Sequence, residues 1–229
     1  MEFVDAHAHV IGRDRERYPL DPIDGTMSAW ARERPVDGNA MVASMDAAEI
    51  GRTILVTPST AYVYDNTYAA DVAAARPDRF GFVGAIDVRR ADAPATMARW
   101  VRERGMRGFR LFAAAARDAR DGAWLIDPIA FPAWDAAGDL GITISVHVEP
   151  PALRALREML ARFPTVTVAL DHCGLPVVDD GPPYAAARSF FDLAEAPNLH
   201  LKFSSRNLHA LVATPTPPSP NGASLSPNV

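Results

Sequence analysis

The feature that most constrains this chain is a repeated alternation of short apolar strands with helical stripes. Phe3–His9, Thr53–Val56, Phe80–Ile86, Gly108–Phe112, Ile142–His147, Val166–Asp171 and Leu199–Ser204 read as strands. Between them, apolar residues recur at helical spacing: Met41, Met45 and Ala48; Tyr68, Val72 and Ala75; Met97, Trp100 and Val101; Phe131 and Trp134; Leu153, Leu156 and Leu160; Tyr184, Ala187 and Phe191. Pro94 after Asp92-Ala93 and Pro128 after Asp127 mark helix starts. Strand and helix taking turns in this way imply parallel βαβ units.

Two arrangements of such units are common, and the faces of the strands separate them. In the fifth strand Thr143, Ser145 and His147 share one face, while Ile142, Ile144 and Val146 share the other. In the seventh, His200, Lys202 and Ser204 oppose Leu199, Leu201 and Phe203. A barrel with polar residues inside and an apolar, helix-covered outside accounts for both patterns. No glycine-rich phosphate loop follows the first strand, which disfavours a dinucleotide-binding sheet. The expected fold class is therefore α/β, a (β/α)8 TIM barrel that is incomplete, with seven strands visible.

After Ser205 the character changes. Thr214–Pro220 is proline-rich and Asn221–Pro227 is low in complexity. The expectation is a barrel domain over 1–205 and a disordered Pro/Ser-rich tail over 206–229. The tail is read as the product of a lost reading frame or a truncated gene rather than as a natural extension. Near the other end, 12–38 is rich in Arg, Asp and Pro and reads as a long loop of the lid or binding kind.

The formal charge of -5 and the lack of a basic run argue against a nucleic-acid surface. A single cysteine, Cys173, excludes a disulfide framework and fits a reducing cytoplasm. Neither a signal peptide nor a membrane-spanning run is visible.

Barrel enzymes place their chemistry at the C-terminal ends of the strands. Those ends carry His7 and His9 on strand one, Arg110 on four, His147 on five, Asp171 and His172 on six, and Lys202 and Ser204 on seven. The chain has six histidines, and three strand ends hold four of them, which favours a function over chance placement.

Asp5-Ala6-His7-Ala8-His9, Tyr64-Asp65-Asn66, Gly108-Phe109-Arg110-Leu111, the strand ending at His147, Leu170-Asp171-His172-Cys173-Gly174 and Leu201-Lys202-Phe203-Ser204 together resemble the amidohydrolase-related family of barrel hydrolases. Within it, the branch of sugar-lactone and 2-pyrone-4,6-dicarboxylate lactonases is the most similar in appearance; decarboxylases of the aminocarboxymuconate semialdehyde type are more distant. The resemblance implies that His7, His9 and His147 ligate a divalent metal, zinc first, although some lactonases of the branch work without one. It implies His172 and His147 as catalytic groups, and Arg110 and Asn66 as contacts to an anionic substrate. The Asp that closes strand eight in the family has no counterpart here, which removes the family's general base. The implied activity is opening of a lactone or similar cyclic ester by an activated water. A decarboxylase on the same barrel and a non-catalytic remnant are the rivals.

Some residues stay open at this level. Period-two counting puts Asp171 inward and His172 outward, unless the chain turns at the strand end. Cys173 reads as a buried thiol, His200 as a structural residue deep in the barrel, Lys202 as a salt-bridge partner inside it, and Glu149 as an exposed loop residue. The expected partner is a small anionic substrate, with homo-oligomerisation possible.

Overall fold

The computed structural model describes residues 3–23, 25–112 and 122–208. Seven strands form one all-parallel sheet: β1 (Phe3–Ala8), β2 (Ile50–Val56), β3 (Phe80–Ala85), β4 (Gly108–Phe112), β5 (Thr143–His147), β6 (Val168–Leu170) and β7 (Leu199–Leu201). Their spatial order is their order in the chain. A sheet so wound curls into a half-barrel, with helices on its outside. The expected TIM-barrel class stands.

The principal helices are α1 (Ala29–Glu33), α2 (Gly38–Ala47), α3 (Ser59–Tyr62), α4 (Thr67–Ala75), α5 (Ala93–Arg104), α6 (Phe131–Leu140), α7 (Leu153–Arg162) and α8 (Arg188–Phe191). Asp127 accepts from the Ile129 N–H and starts the helical turn leading into α6. Gly105 and Gly141, both left-handed, end α5 and α6. Leu153, Leu156 and Leu160 of α7 are all buried, as their spacing requires. The main core runs between helices and sheet and includes Trp134, Phe82, Phe109, Leu55 and Met97.

The 12–38 segment is not the uninterrupted loop expected. It contains α1, because Ala31 is fully buried in a second small core with Ile11, Tyr18, Ala61 and Tyr62. Asp71 on α4 fastens the segment from outside, accepting from Tyr18 Oη at 2.7 Å and Arg17 Nη2 at 2.9 Å.

Three details of the sheet position the site. β1 slips register against β2 between Asp5 and Ala8, so strict alternation breaks where the histidines lie. Gly108 lets β4 and β5 approach, since a Cβ there would run into the Thr143 carbonyl oxygen. That approach sets Arg110 beside Ser145 in the ladder. Finally, β6 ends in a tight turn, Asp171–Gly174, in which His172 (φ 55°) and Cys173 (φ 53°) are left-handed.

β1 and β7 are the edges of the sheet among the described residues, and Phe3, Val4, Leu201 and Phe203 on them are exposed. His200 on β7 is exposed too, not deep in the barrel, because nothing described pairs with that strand's outer edge. A helical turn at 205–208 follows β7, with Asn207 buried. The expected start of the tail at 206 therefore falls inside folded structure; 209–229 lies outside the described residues.

Candidate active site

The site is built on a buried carboxylate. Asp171 is fully buried, and its partners come from four strands. Arg110 Nε donates to Oδ2 at 2.8 Å and Ser145 Oγ donates to Oδ1 at 2.7 Å. Lys202 Nζ lies 3.3 Å from Oδ1 and His7 Nδ1 3.2 Å from it. Lys202 Nζ also donates to Ser145 Oγ at 2.8 Å. Burial alone would raise the Asp171 pKa, but the His7 contact and the Arg110 and Lys202 charges hold it well below the usual carboxylate range. Burial pulls Lys202 down against the opposing pull of Asp171. Lys202 is thus the interior salt-bridge partner expected of it, and Asp171 takes the structural role that the sequence left open.

On this platform stand four histidines in a chain of ring contacts. His9 meets His7 (4.9 Å between centroids), His7 meets His172 (5.1 Å), and His172 meets His147 (5.4 Å). His172 reaches the group because the left-handed turn after β6 swings both Asp171 and His172 to the inside, where alternation would admit only one. A non-glycine residue in that conformation costs roughly 1–2 kcal/mol. The turn is held by Cys173 N–H donating to the Lys202 carbonyl (3.1 Å) and by Asn207 Nδ2 donating to the His172 carbonyl (2.7 Å).

All three histidines with resolved shifts are held neutral. Burial, then His7, lowers His9 to about 3; burial, then Arg110, lowers His147 to about 3; burial, then His7, lowers His172 to about 4. These folded values lie below the ordinary histidine value of 6.5, so the unfolded chain takes up protons first as the pH falls. Stability is then complete above about pH 6.5 and is lost progressively down to about pH 3–4. Asp171 adds stability that is present above about pH 4 and lost only below it. The urea midpoint is expected to be level from about pH 8 to 7 and to fall steadily from about 6.5 to 4. A midpoint flat down to about pH 4.5 contradicts the buried neutral histidines.

Of the three expected metal ligands, the structure brings two together. A backbone carbonyl only accepts, so His9 Nδ1, 2.7 Å from the Val56 oxygen, carries the proton. His7 Nδ1 lies 3.2 Å from the Asp171 carboxylate, a neighbour that favours the proton on that nitrogen. Both Nε2 atoms then present lone pairs, and they face each other at 3.4 Å. Such a pair fits a divalent cation. The expected third ligand does not join it: among the described residues no three His, Cys, Asp or Glu side chains converge on one point. His172 stands between His7 and His147, and His147 Nδ1 is buried without a partner.

Two expected substrate contacts have partners within the protein. Arg110 is 5% exposed and its Nε is committed to Asp171, so it serves the platform. Asn66 is fully buried and acts as a β-strand surrogate: Nδ2 donates to the Ala85 carbonyl (3.0 Å) and Oδ1 accepts the Ala85 N–H (2.6 Å). A Cβ at Gly84 would stand 2.9 Å from Asn66 Cγ, so that glycine makes the room. Asn66→Ala is expected to lower stability by about 1–3 kcal/mol for each backbone group left unpaired. A thermal melt unchanged from wild type would return Asn66 to the list of ligand contacts.

Three further neighbours complete the cluster, and sequence reasoning missed two of them. Trp30 of α1 stacks on His9 (5.7 Å, 18° between planes) with 42% of its surface exposed. Arg206, exposed on the turn after β7, is close enough for its charge to lower His147 and His172. Ser204 Oγ lies 2.7 Å from His172 Nδ1. Ser204 was already named as a polar residue at a strand end; Trp30 on the short α1 and Arg206 on the helical turn after β7 lie away from the strand ends and carried no signal.

The sequence profile of the amidohydrolase family matches residues 4–218. An L-fucono-1,5-lactonase from Burkholderia ambifaria is 29% identical over 204 residues, covering 88% of this chain and 67% of that one. The crystal structure of a probable 2-pyrone-4,6-dicarboxylic acid hydrolase from Acinetobacter baumannii, with citric acid bound, superposes with a TM-score of 0.69 at 17% identity. An amidohydrolase from Burkholderia multivorans, with zinc bound, also gives 0.69, at 21% identity. Both superpositions cover 88% of this chain and 69% of the other, and at those identities the likeness is one of fold.

Proposed function

The chain belongs to the amidohydrolase family, and from that premise we propose that it hydrolyses a lactone, of the sugar-lactone kind, by adding water to the ring carbonyl. The observation that carries the reading is the file of four histidines at the ends of β1, β5 and β6 over a buried cationic platform, with His9, His147 and His172 held neutral. The likeness to a sugar lactonase supports the substrate class. So does the exposed face of Trp30, a flat apolar surface beside His9 suited to a saturated ring.

In this reading His172 is the proton acceptor. Neutral at working pH, it takes a proton from water as the water oxygen bonds to the carbonyl carbon. It then returns that proton to the ring oxygen as the C–O bond breaks. The buried Arg110 and Lys202 put two positive charges against one carboxylate under the cluster, which favours the oxyanion formed on the way. His147 packs edge-on to His172 and walls the base on that side. Where a divalent metal takes part, His7 and His9 would hold it through Nε2, and it would supply Lewis-acid polarisation of the carbonyl.

The test is a panel of five- and six-membered sugar lactones followed by proton release at about pH 7.5, with carbon dioxide monitored on a parallel set of small hydroxybenzoic acids. Ring opening with one proton released per lactone, and no carbon dioxide, is the expected result. Carbon dioxide without lactone opening would replace the hydrolase reading with a decarboxylase.

A further inference from the structure

We propose that Ser204 and Asn207 are positioning residues that fix the tautomer of His172, leaving its lone pair on Nε2. The proposal rests on the reading of His172 as the proton acceptor, but its geometry stands apart from that reading. Asn207 Nδ2 donates to the His172 carbonyl at 2.7 Å, and its Oδ1 accepts the Ser204 N–H at 3.0 Å. A backbone carbonyl only accepts and a backbone N–H only donates, so the orientation of this buried amide is fixed by its partners.

Ser204 Oγ then lies 3.2 Å from the acceptor Oδ1 and 2.7 Å from His172 Nδ1. The hydroxyl has a single proton. If it went to His172 Nδ1, two oxygen acceptors would face each other with nothing between. If it goes to Asn207 Oδ1, the imidazole supplies its own N–H to Ser204, and every short contact holds one proton. The relay therefore runs from His172 Nδ1–H to Ser204 Oγ–H to Asn207 Oδ1. Nε2, the ring nitrogen that Ser204 does not touch, keeps the lone pair that abstracts a proton. Asn207 does this while also holding the carbonyl of the strained residue, so one side chain sets both the backbone and the ring of His172. Neither residue carries a charge, and so the relay orients the base without storing a second proton.

The test uses the full chain with 15N-labelled histidine, and long-range 1H–15N correlation of the ring nitrogens at neutral pH. The His172 signals are assigned by their loss in His172→Asn. Wild type is expected to show Nδ1 protonated and Nε2 bare. Ser204→Ala should lose that preference and lower kcat on the lactone about ten- to a hundredfold, with KM changed less than about twofold. Ser204→Thr, which keeps the hydroxyl, should restore both. Asn207→Ala reads the same relay from its far end if Ser204→Ala does not fold. A wild-type His172 protonated on Nε2, or an Nδ1–H that persists in Ser204→Ala, overturns the proposal. The tautomer shift appearing in a chain that opens no lactone would support the relay and sink only the hydrolase reading.

Discussion

Asp171→Ala is expected to be the most destabilising substitution in the barrel interior. It removes the carboxylate that, among the described residues, contacts Arg110, Lys202, Ser145 and His7, and takes that counter-charge from two buried cations. Breaking a buried, hydrogen-bonded pair from one side costs about 3–5 kcal/mol. For a chain of this size that corresponds to roughly 6–20 °C in melting temperature. Asp171→Asn keeps the shape and one acceptor but not the charge, and should fall between Ala and wild type. The comparison is Asp46→Ala, which breaks the exposed Arg79–Asp46 pair and should cost less than about 1 kcal/mol. Asp171→Ala melting within about 2 °C of wild type would mean that the network is not what holds β4, β5, β6 and β7 together.

His172→Asn is expected to have the largest effect on turnover. Asparagine tolerates the left-handed backbone that His172 adopts, so the turn and the platform beneath it should survive. What is lost is the imidazole that moves the proton, and general-base catalysis contributes about 10²–10⁴-fold. The expected result is a kcat reduced by that factor, with a melting temperature within a few degrees of wild type. A variant that keeps at least half of wild-type turnover would transfer the base role to another group.

These two residues also show how far the sequence reaches. Adjacent in the chain, Asp171 and His172 cannot both face inward under period-two alternation, and counting alone left the choice open. Tertiary hydrogen bonds from Asn207 and Lys202 stabilise the turn that admits both, and no local pattern encodes those bonds. The barrel class was legible because the alternation of strands with helices and the polar face of β5 are local. The same holds for His7 and His9, two residues apart at the end of β1. Arg110 was placed on the correct strand end, but its carboxylate partner could not be read from the sequence. Its role depends on a carboxylate 61 residues away, in the turn that follows a strand two positions along the sheet. Asn66 was read as a ligand contact from the family resemblance alone, and its pairing with the Ala85 backbone, in room that Gly84 leaves, could not be read from local pattern. His147 lies where the spacing put it, but the ring of His172 separates it from the His7–His9 pair. Sequence position cannot show that kind of separation.

The most direct test of the account is proton release from a neutral six-membered sugar lactone at about pH 7.5, measured with wild type and His172→Asn side by side. The account predicts that wild type opens the ring well above the rate in buffer and that the variant loses most of that excess while remaining folded. Ring opening by wild type at the buffer rate, or equal rates for the two proteins, would contradict it.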